Sequence, residues 1–277
     1  KYFGGSPANI TVNLSRLGNN AALISRLGDD DFGHFLIDKL NKEKVITEGI
    51  QIDNDRQTPV IFVSKSSKTP DWIPYRSADI YLRESKKIYN LIDRSKIFHL
   101  SSFILSRDPA RSVALNAFDY AKKTGKIISF DPCYRKVLWP KDLNSTKIVK
   151  KVISDSDFIK PSLDDAYHLF GKDIPENYLK KYLDLGVNLV MLTLGSEGAL
   201  VSDGNETVKI PVFTKEVVDV TGAGDAFWSG FMTGILNNFS IKRSVKLGSG
   251  TAAYKISGIG ALSPIPTMAE IIDHFDI

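Results

Sequence analysis

Apolar residues recur along this chain with two periods, and the two alternate. Ser6-Pro7 reads as a helix N-cap followed by the first helical residue. Ile10, Leu14 and Leu17 then follow at helical spacing, and Gly18 ends the helix. Ala21 to Ser25 reads as a short strand. Gly28-Asp29-Asp30-Asp31 reads as a turn and N-cap, and Phe32, Leu36 and Leu40 mark the next helical face. From about Gly49 to Leu82 the pattern changes. Gln51 to Asp55 is polar, Val60 to Val63 is β-branched and aromatic, Ser64 to Asp71 reads as a polar turn, and Trp72 to Tyr75 reads as a strand. No helix is predicted there. An all-β insertion in an alternating chain predicts a small β lid over residues 49–82, standing off a main body formed by 1–48 and 83–277.

Beyond residue 97 the alternation is regular. Strands are predicted at Ile97–Leu100, Lys126–Phe130, Asp157–Lys160 and Val187–Leu194. A helix capped by Asp108-Pro109 carries Val113, Ala117, Phe118 and Ala121 on one face. Others begin at Ser162 and span Tyr178–Leu185. Ala199–Ser202 and Thr207–Ile210 flank Asp203-Gly204-Asn205 as a hairpin. Helices follow to about Asn237, over about Lys242–Ile256 and over Met268–Phe275. This repetition predicts an α/β fold, a mostly parallel sheet with helices on both faces.

Composition narrows the setting without choosing an activity. The 277 residues are 43% apolar and 25% charged, ordinary for a globular α/β protein. A net charge of +4, with Lys and Arg dispersed, offers no nucleic-acid patch and no polybasic anchor. No apolar run approaches a membrane span. The single cysteine, Cys133, excludes an internal disulfide and points to a reducing compartment, the cytoplasm. The chain opens without Met and in mid-motif, so a preceding segment is expected.

The chemistry concentrates in Asp219-Val220-Thr221-Gly222-Ala223-Gly224-Asp225. Glycines let backbone N–H groups approach a ligand, and a helix start favours an anion. Asp225 at the edge of such a cradle is placed to take a proton from a hydroxyl, as phosphoryl transfer requires. The same residues also suit a capped Gly-rich turn. In parallel sheets ligands gather at strand carboxyl ends. That selects Asp131 and Arg135, Lys160 and Ser162, and Thr193, Gly195 and Gly198.

Taken together these residues resemble the ribokinase-like, pfkB-type carbohydrate kinases. Gly4-Gly5-Ser6-Pro7-Ala8-Asn9 with Leu17-Gly18 is similar to the family's N-terminal signature. Leu27 to Gly33 is similar to the segment after it, and Asp219 to Asp225 to the C-terminal signature. The resemblance implies a three-layer sandwich with a small β lid. It implies ATP and Mg²⁺ as cofactors and a small-molecule sugar as acceptor. Asp225 would be the catalytic base, and Gly222, Ala223 and Gly224 the anion hole. Gly4, Gly5 and Asn9 would contact the sugar. Thr193, Gly195 and Gly198 would face the nucleotide, and Ser249 would lie near the adenine. Ser162 and Asp165 stand where the family often has Asn-x-x-Glu. They fit either a capping box or a role through Mg²⁺-bound water. A first strand carrying a sugar-binding Asp is part of the resemblance and lies outside this sequence. Asp219 and Thr221 match part of a monovalent-cation site, implying K⁺, while Gly258, Gly260 and Pro264 match it poorly.

The stretches Tyr75–Leu82 and Asp131–Trp139 resemble the branch holding fructokinases and 2-keto-3-deoxygluconate kinases. Arg76 and Arg135 would reach the substrate or the phosphate being made; surface ion pairs are the plainer reading of both. The expectation is phosphorylation of D-fructose to fructose 6-phosphate, with the keto-acid as alternative acceptor. A non-catalytic sugar- or nucleotide-binding homologue is the alternative of another class. The edge of Val60–Val63 points to a homodimer through the lid.

Overall fold

A computed structural model describes residues 2–63, 72–214 and 216–277. Its strands are β1 (Ser25–Gly28), β2 (Ile50–Asp53), β3 (Val60–Val63), β4 (Trp72–Tyr75), β5 (Ile97–Ser101), β6 (Ile127–Asp131), β7 (Phe158–Ile159), β8 (Leu189–Thr193), β9 (Ala199–Ser202) and β10 (Thr207–Ile210). Its helices are α1 (Ser6–Arg16), α2 (Asp31–Lys42), α3 (Lys86–Asp93), α4 (Ser102–Leu105), α5 (Ala110–Lys123), α6 (Ser145–Ser154), α7 (Leu163–Phe170), α8 (Pro175–Leu183), α9 (Ala223–Leu236), α10 (Ile241–Ile256) and α11 (Met268–Phe275).

Six strands form one sheet in the order β10-β9-β8-β7-β6-β5. The four from β5 to β8 run parallel, and the β9–β10 hairpin closes the sheet antiparallel. Alternation along β8 shows why helices cover both faces. Val190 and Leu192 point into one core with Phe118 of α5, Val149 of α6, Ala166 of α7 and Tyr182 of α8. Leu189 and Met191 point into the other with Ile10 of α1, Trp228 and Phe231 of α9 and Val245 of α10. A strand buried on both faces must be apolar throughout, as the run Leu-Val-Met-Leu is.

Trp228 is the fixed point of the second core. It is fully buried, lies edge-on to Phe158 and stacks on Phe231. Its indole N–H reaches Ser129 Oγ on β6 at 3.0 Å. Truncating such a ring to Ala typically costs about 3–5 kcal/mol. Asp225 stands three residues earlier on the same helix, so this packing sets where the carboxylate sits. Trp228 also fills the space beside His99, whose imidazole burial pushes down to about 3.

The alternation beyond residue 97, the hairpin and α11 match the sequence reading. Other stretches differ. The first strand lies at Ser25–Gly28 rather than at 21–25, and Ala22 contributes only an isolated bridge to Ile46. The polar stretch beginning at Gln51 belongs to strand β2, which pairs in parallel with β1. Its charge is absorbed by a buried ion pair, Asp53 with Arg26 at 2.8 Å. Helices α3 and α6 were not anticipated from the sequence. β3 and β4 form the expected antiparallel pair. The turn predicted from Ser64 to Asp71 lies outside the described residues. β1 and β5 both line a large groove of about 1850 Å³, whose walls include Leu27, Ile97, Phe98 and Leu100. No helix among the described residues is long and apolar enough to cross a membrane.

Candidate active site

Asp225 occupies the first turn of α9, where the helix start favours its negative charge. Two residues of α1 hold it. Ser6 Oγ donates to Oδ1 at 2.7 Å and Asn9 Nδ2 donates to Oδ2 at 2.8 Å. Residues separated by more than two hundred positions are thus joined at one carboxylate. Burial raises the pKa of Asp225 above the usual carboxylate value; the bonds from Ser6 and Asn9 and the nearby Lys160 ammonium oppose that. The Asn9 side-chain oxygen is buried and unpartnered. Asn9 lines the same cavity as Gly4 and Gly5. A side chain added at Gly4 would meet nothing within 4 Å. The backbone there is open to a ligand.

The cradle ahead of Asp225 is built by close approach. Gly222 caps α9 at φ +79°, and a Cβ there would stand 2.9 Å from the carbonyl oxygen of Ala261. Only glycine fits both conditions. Of the first amides of α9, Ala223 N donates to Val220 O at 3.0 Å, so this member of the expected anion hole is engaged, while a helix start otherwise leaves its first amides without intrahelical acceptors. At Gly224 the nearest atom to an added Cβ is Lys160 Nζ, at 3.4 Å. Lys160 is buried at the end of β7 and its Nζ lies 3.0 Å from Asp131 Oδ2. Burial pulls its pKa down, but the Asp131 and Asp225 carboxylates outweigh that and hold the ammonium charged. A cation therefore stands between the end of β6 and the helix start that would receive an anion. The sequence reading noted Lys160 as a strand-end residue and gave it no role.

The remaining candidates fall into three groups. Asp165 closes a capping box. Its Oδ2 accepts from Ser162 N and Oγ, and its Oδ1 from Tyr134 N at 2.7 Å and Arg135 Nη1 at 3.2 Å. Its acceptor positions are filled, so the capping reading is the one observed, and no lone pair is left for metal-bound water. Arg135 is held by this contact and by Asp164, away from the groove that Gly4 lines. The ion-pair reading accounts for it.

Arg76 does line that groove. It pairs with Asp79, donates to Ser106 Oγ at 2.9 Å and lies over the Phe103 ring. Its Nη2 is buried without a partner. Arg111, paired with Asp108, likewise buries Nη1 without a partner. Burial lowers the pKa of both, and the charge of Arg107 lowers each further. Arg107 thus lies within the field of both Arg76 and Arg111, each of which is paired with a carboxylate, and of the three only Arg76 lines the groove. Arg107 and Arg111 were missed from the sequence, where they look like ordinary helix-end charges.

Of the residues expected to face the nucleotide, Thr193 ends β8 and its Oγ1 donates weakly to Pro161 O at 3.4 Å. Gly195 stands in open space. A Cβ at Gly198, however, would fall 2.0 Å from the Ile210 carbonyl oxygen, so this glycine has a packing reason independent of any ligand. Ser249 is buried on α10. The Asp219 carboxylate accepts from Thr221 N at 2.9 Å and Gly260 N at 2.7 Å, which hold its pKa below normal against the effect of burial.

Two signatures distant in sequence converge on one base beside a helix start and a buried cation. The profile of the pfkB family of carbohydrate kinases matches residues 1–268. The chain belongs to that family. An ATP-dependent 6-phosphofructokinase of Thermoanaerobacterium thermosaccharolyticum is 43% identical over 277 residues, covering 100% of this chain and 86% of the relative. A Halothermothrix orenii fructokinase structure is 59% identical, covers 92% of this chain and 89% of its own, and superposes with a TM-score of 0.83. A Vibrio cholerae fructokinase double mutant, solved with fructose, ADP and potassium, is 27% identical. It covers 98% of this chain and 89% of its own, with a TM-score of 0.86. The three-layer ribokinase-like sandwich implied by the motifs is therefore the fold of this pfkB kinase, and the chain is a carbohydrate kinase.

Proposed function

We propose that this kinase transfers the γ-phosphoryl group of ATP to a primary hydroxyl of D-fructose, giving fructose 6-phosphate and ADP. The observation that carries the reading is the Asp225 carboxylate, held by Ser6 and Asn9 at the mouth of the α9 cradle. The fructokinase and phosphofructokinase relatives support a fructose skeleton as acceptor. Asn9 and the open backbone at Gly4 and Gly5 bind sugar hydroxyls. Asp225 takes the proton of the attacking hydroxyl. The amides of Gly222 and Gly224 and the Lys160 ammonium neutralise charge gathering on the transferred group. Thr193, Gly195 and Ser249 face the nucleotide.

Mg²⁺ would neutralise the ATP phosphates when bound. Among the described residues no group of three His, Cys, Asp or Glu side chains could hold a metal ion. That fits an ion carried by phosphates and water rather than by a protein cage. The β3–β4 pair serves as the lid. Its exposed Ile61, Phe62, Ile73 and Tyr75 suit a lid-to-lid homodimer. A single free cysteine accords with work in the cytoplasm.

A second reading is favoured by one observation, the orphaned nitrogens of Arg76 and Arg111 beside Arg107. Fructose carries a primary hydroxyl at each end. An acceptor already phosphorylated at one end would set that phosphate on the arginines and present the other hydroxyl to Asp225. ADP formation with fructose, fructose 6-phosphate, 2-keto-3-deoxygluconate and ribose separates these acceptors. Fructose or its 6-phosphate should exceed the others in kcat/KM. Preference for the keto-acid or ribose would overturn the proposal, and ADP release indifferent to sugar would favour a binding homologue.

A further inference from the structure

Lys255, in the last turn of α10, is fully buried. Its ammonium does not pair with a carboxylate. It donates to the backbone carbonyl of Asp219 at 2.8 Å. Around it, the segment leading into the cradle is fastened to the end of α10. Val218 N and Asp219 N both donate to Ile256 O, at 2.8 and 3.2 Å. The Asp219 carboxylate receives Gly260 N, and Ser263 Oγ donates to Lys255 O at 2.6 Å. Three residues beyond Asp219, Gly222 begins the turn whose amides would meet the phosphoryl group.

A monovalent cation in such a place would need carbonyl oxygens and a carboxylate from these two segments. In this chain each of them already has a donor. The Asp219 carbonyl accepts from Lys255 and its carboxylate oxygens accept from Thr221 N and Gly260 N, so a cation would have to share all three with groups that carry positive charge or a bound proton. Charge argues the same way. Burial lowers the pKa of Lys255, and the nearby Asp219 and Asp225 carboxylates oppose that and favour its charged form. A potassium ion beside it would add a second positive charge to an enclosed loop already neutralised by one. The expected K⁺ site and the residues present therefore do not fit each other.

We propose that the Lys255 ammonium is a tethered substitute for a monovalent cation, positioning the Asp219–Gly222 segment so that the cradle works without K⁺. An ammonium group resembles K⁺ in charge and size, and it donates to the same carbonyl oxygens that K⁺ would bind. Carried on α10, it is always present and costs no binding entropy. Lys255 is a positioning residue, because it acts on the phosphoryl group only through the backbone it holds.

The inference rests on the kinase reading, and its test separates the two. ADP formation by the wild type is compared in KCl, NaCl and tetramethylammonium chloride at equal ionic strength. Rates should agree within about twofold, whereas stimulation by K⁺ of about tenfold or more would overturn the inference. Lys255→Met keeps the stem and removes the charge; it should lose on the order of 10²-fold in kcat, the usual scale for a disrupted oxyanion cradle. Lys255→Ala should lose as much, and recover in part with K⁺ or ethylammonium but not with tetramethylammonium. A purely packing role would show no such selectivity. A folded Lys255→Ala protein that no cation rescues would overturn the inference, as would Lys255→Met with wild-type turnover. If no sugar elicits ADP formation, the kinase reading fails, and the cation inference is read from thermal unfolding instead. Lys255→Ala alone should then be stabilised by K⁺ over tetramethylammonium; equal response of wild type and variant would overturn it.

Discussion

The region around the start of α9 and the region around the arginines are built on opposite principles. At the α9 end the charged groups have partners: Asp225 with Ser6 and Asn9, Lys160 with Asp131, Asp219 with Thr221 and Gly260. At the arginine end, Arg76 and Arg111 each bury a guanidinium nitrogen with no partner. A buried unmet donor costs about 1–3 kcal/mol. On the proposed reading, the machinery of transfer would be assembled before substrate arrives, while acceptor recognition would be left for the acceptor to complete. Preorganised groups need no rearrangement as charge develops. Unpaired donors instead reward only the ligand that supplies the missing acceptor, which is how binding becomes selective.

Three substitutions would break or sharpen that contrast. The largest effect is expected from Asp225→Asn, which keeps the shape of the α9 end and removes the base. It should lower kcat by about 10³-fold or more, at the scale of a lost general base, with little change in sugar affinity by calorimetry. Near-normal turnover would remove Asp225 from the chemistry.

Lys160→Met comes next, at roughly 10²-fold in kcat/KM. It also carries a pH signature. Asp225 must be ionised to accept the proton, and burial raises its pKa while Lys160 opposes that rise. Activity is therefore lost as pH falls through a raised pKa. Without Lys160 the acid limb of kcat/KM should move to higher pH. An unmoved or lowered limb would show that the ammonium does not act on the base.

The smallest effect is a ratio. Arg111→Gln should lower kcat/KM for fructose 6-phosphate relative to fructose by about tenfold or more, the value of a charge-assisted bond to phosphate. An unchanged ratio would assign the arginines to packing and leave free fructose as the acceptor.

How much of this could be read from the chain follows from where each residue finds its partner. Asp225 and Asn9 were legible because each lies in a compact signature whose residue types already imply an anion and a sugar. Regular strands such as β8 were legible because burial on both faces leaves an unbroken apolar run. β2 was not, since its Asp53 is neutralised by Arg26, 27 positions away. Lys160 could have been suspected from its place between apolar β7 and Pro161. Lys255 gave a fainter sign, as the one charge in the second half of α10. Its meaning depends on Asp219, 36 positions earlier. Arg76 and Arg135 looked equivalent as arginines near a substrate; only their packing separates one in the groove from one tied to α7.

The seam between α9 and α10 is made of small residues. A Cβ on Gly230 would stand 2.4 Å from Thr251 Oγ1, and one on Gly248 would stand 2.6 Å from Phe227 O. Helices that approach this closely behave mechanically as a single beam. Asp225 begins one member of the beam and Lys255 ends the other, so both ride on the same end of it. When the protein breathes, the spacing of the Asp225 carboxylate and the Lys255 ammonium is carried along unchanged, as two marks on one ruler.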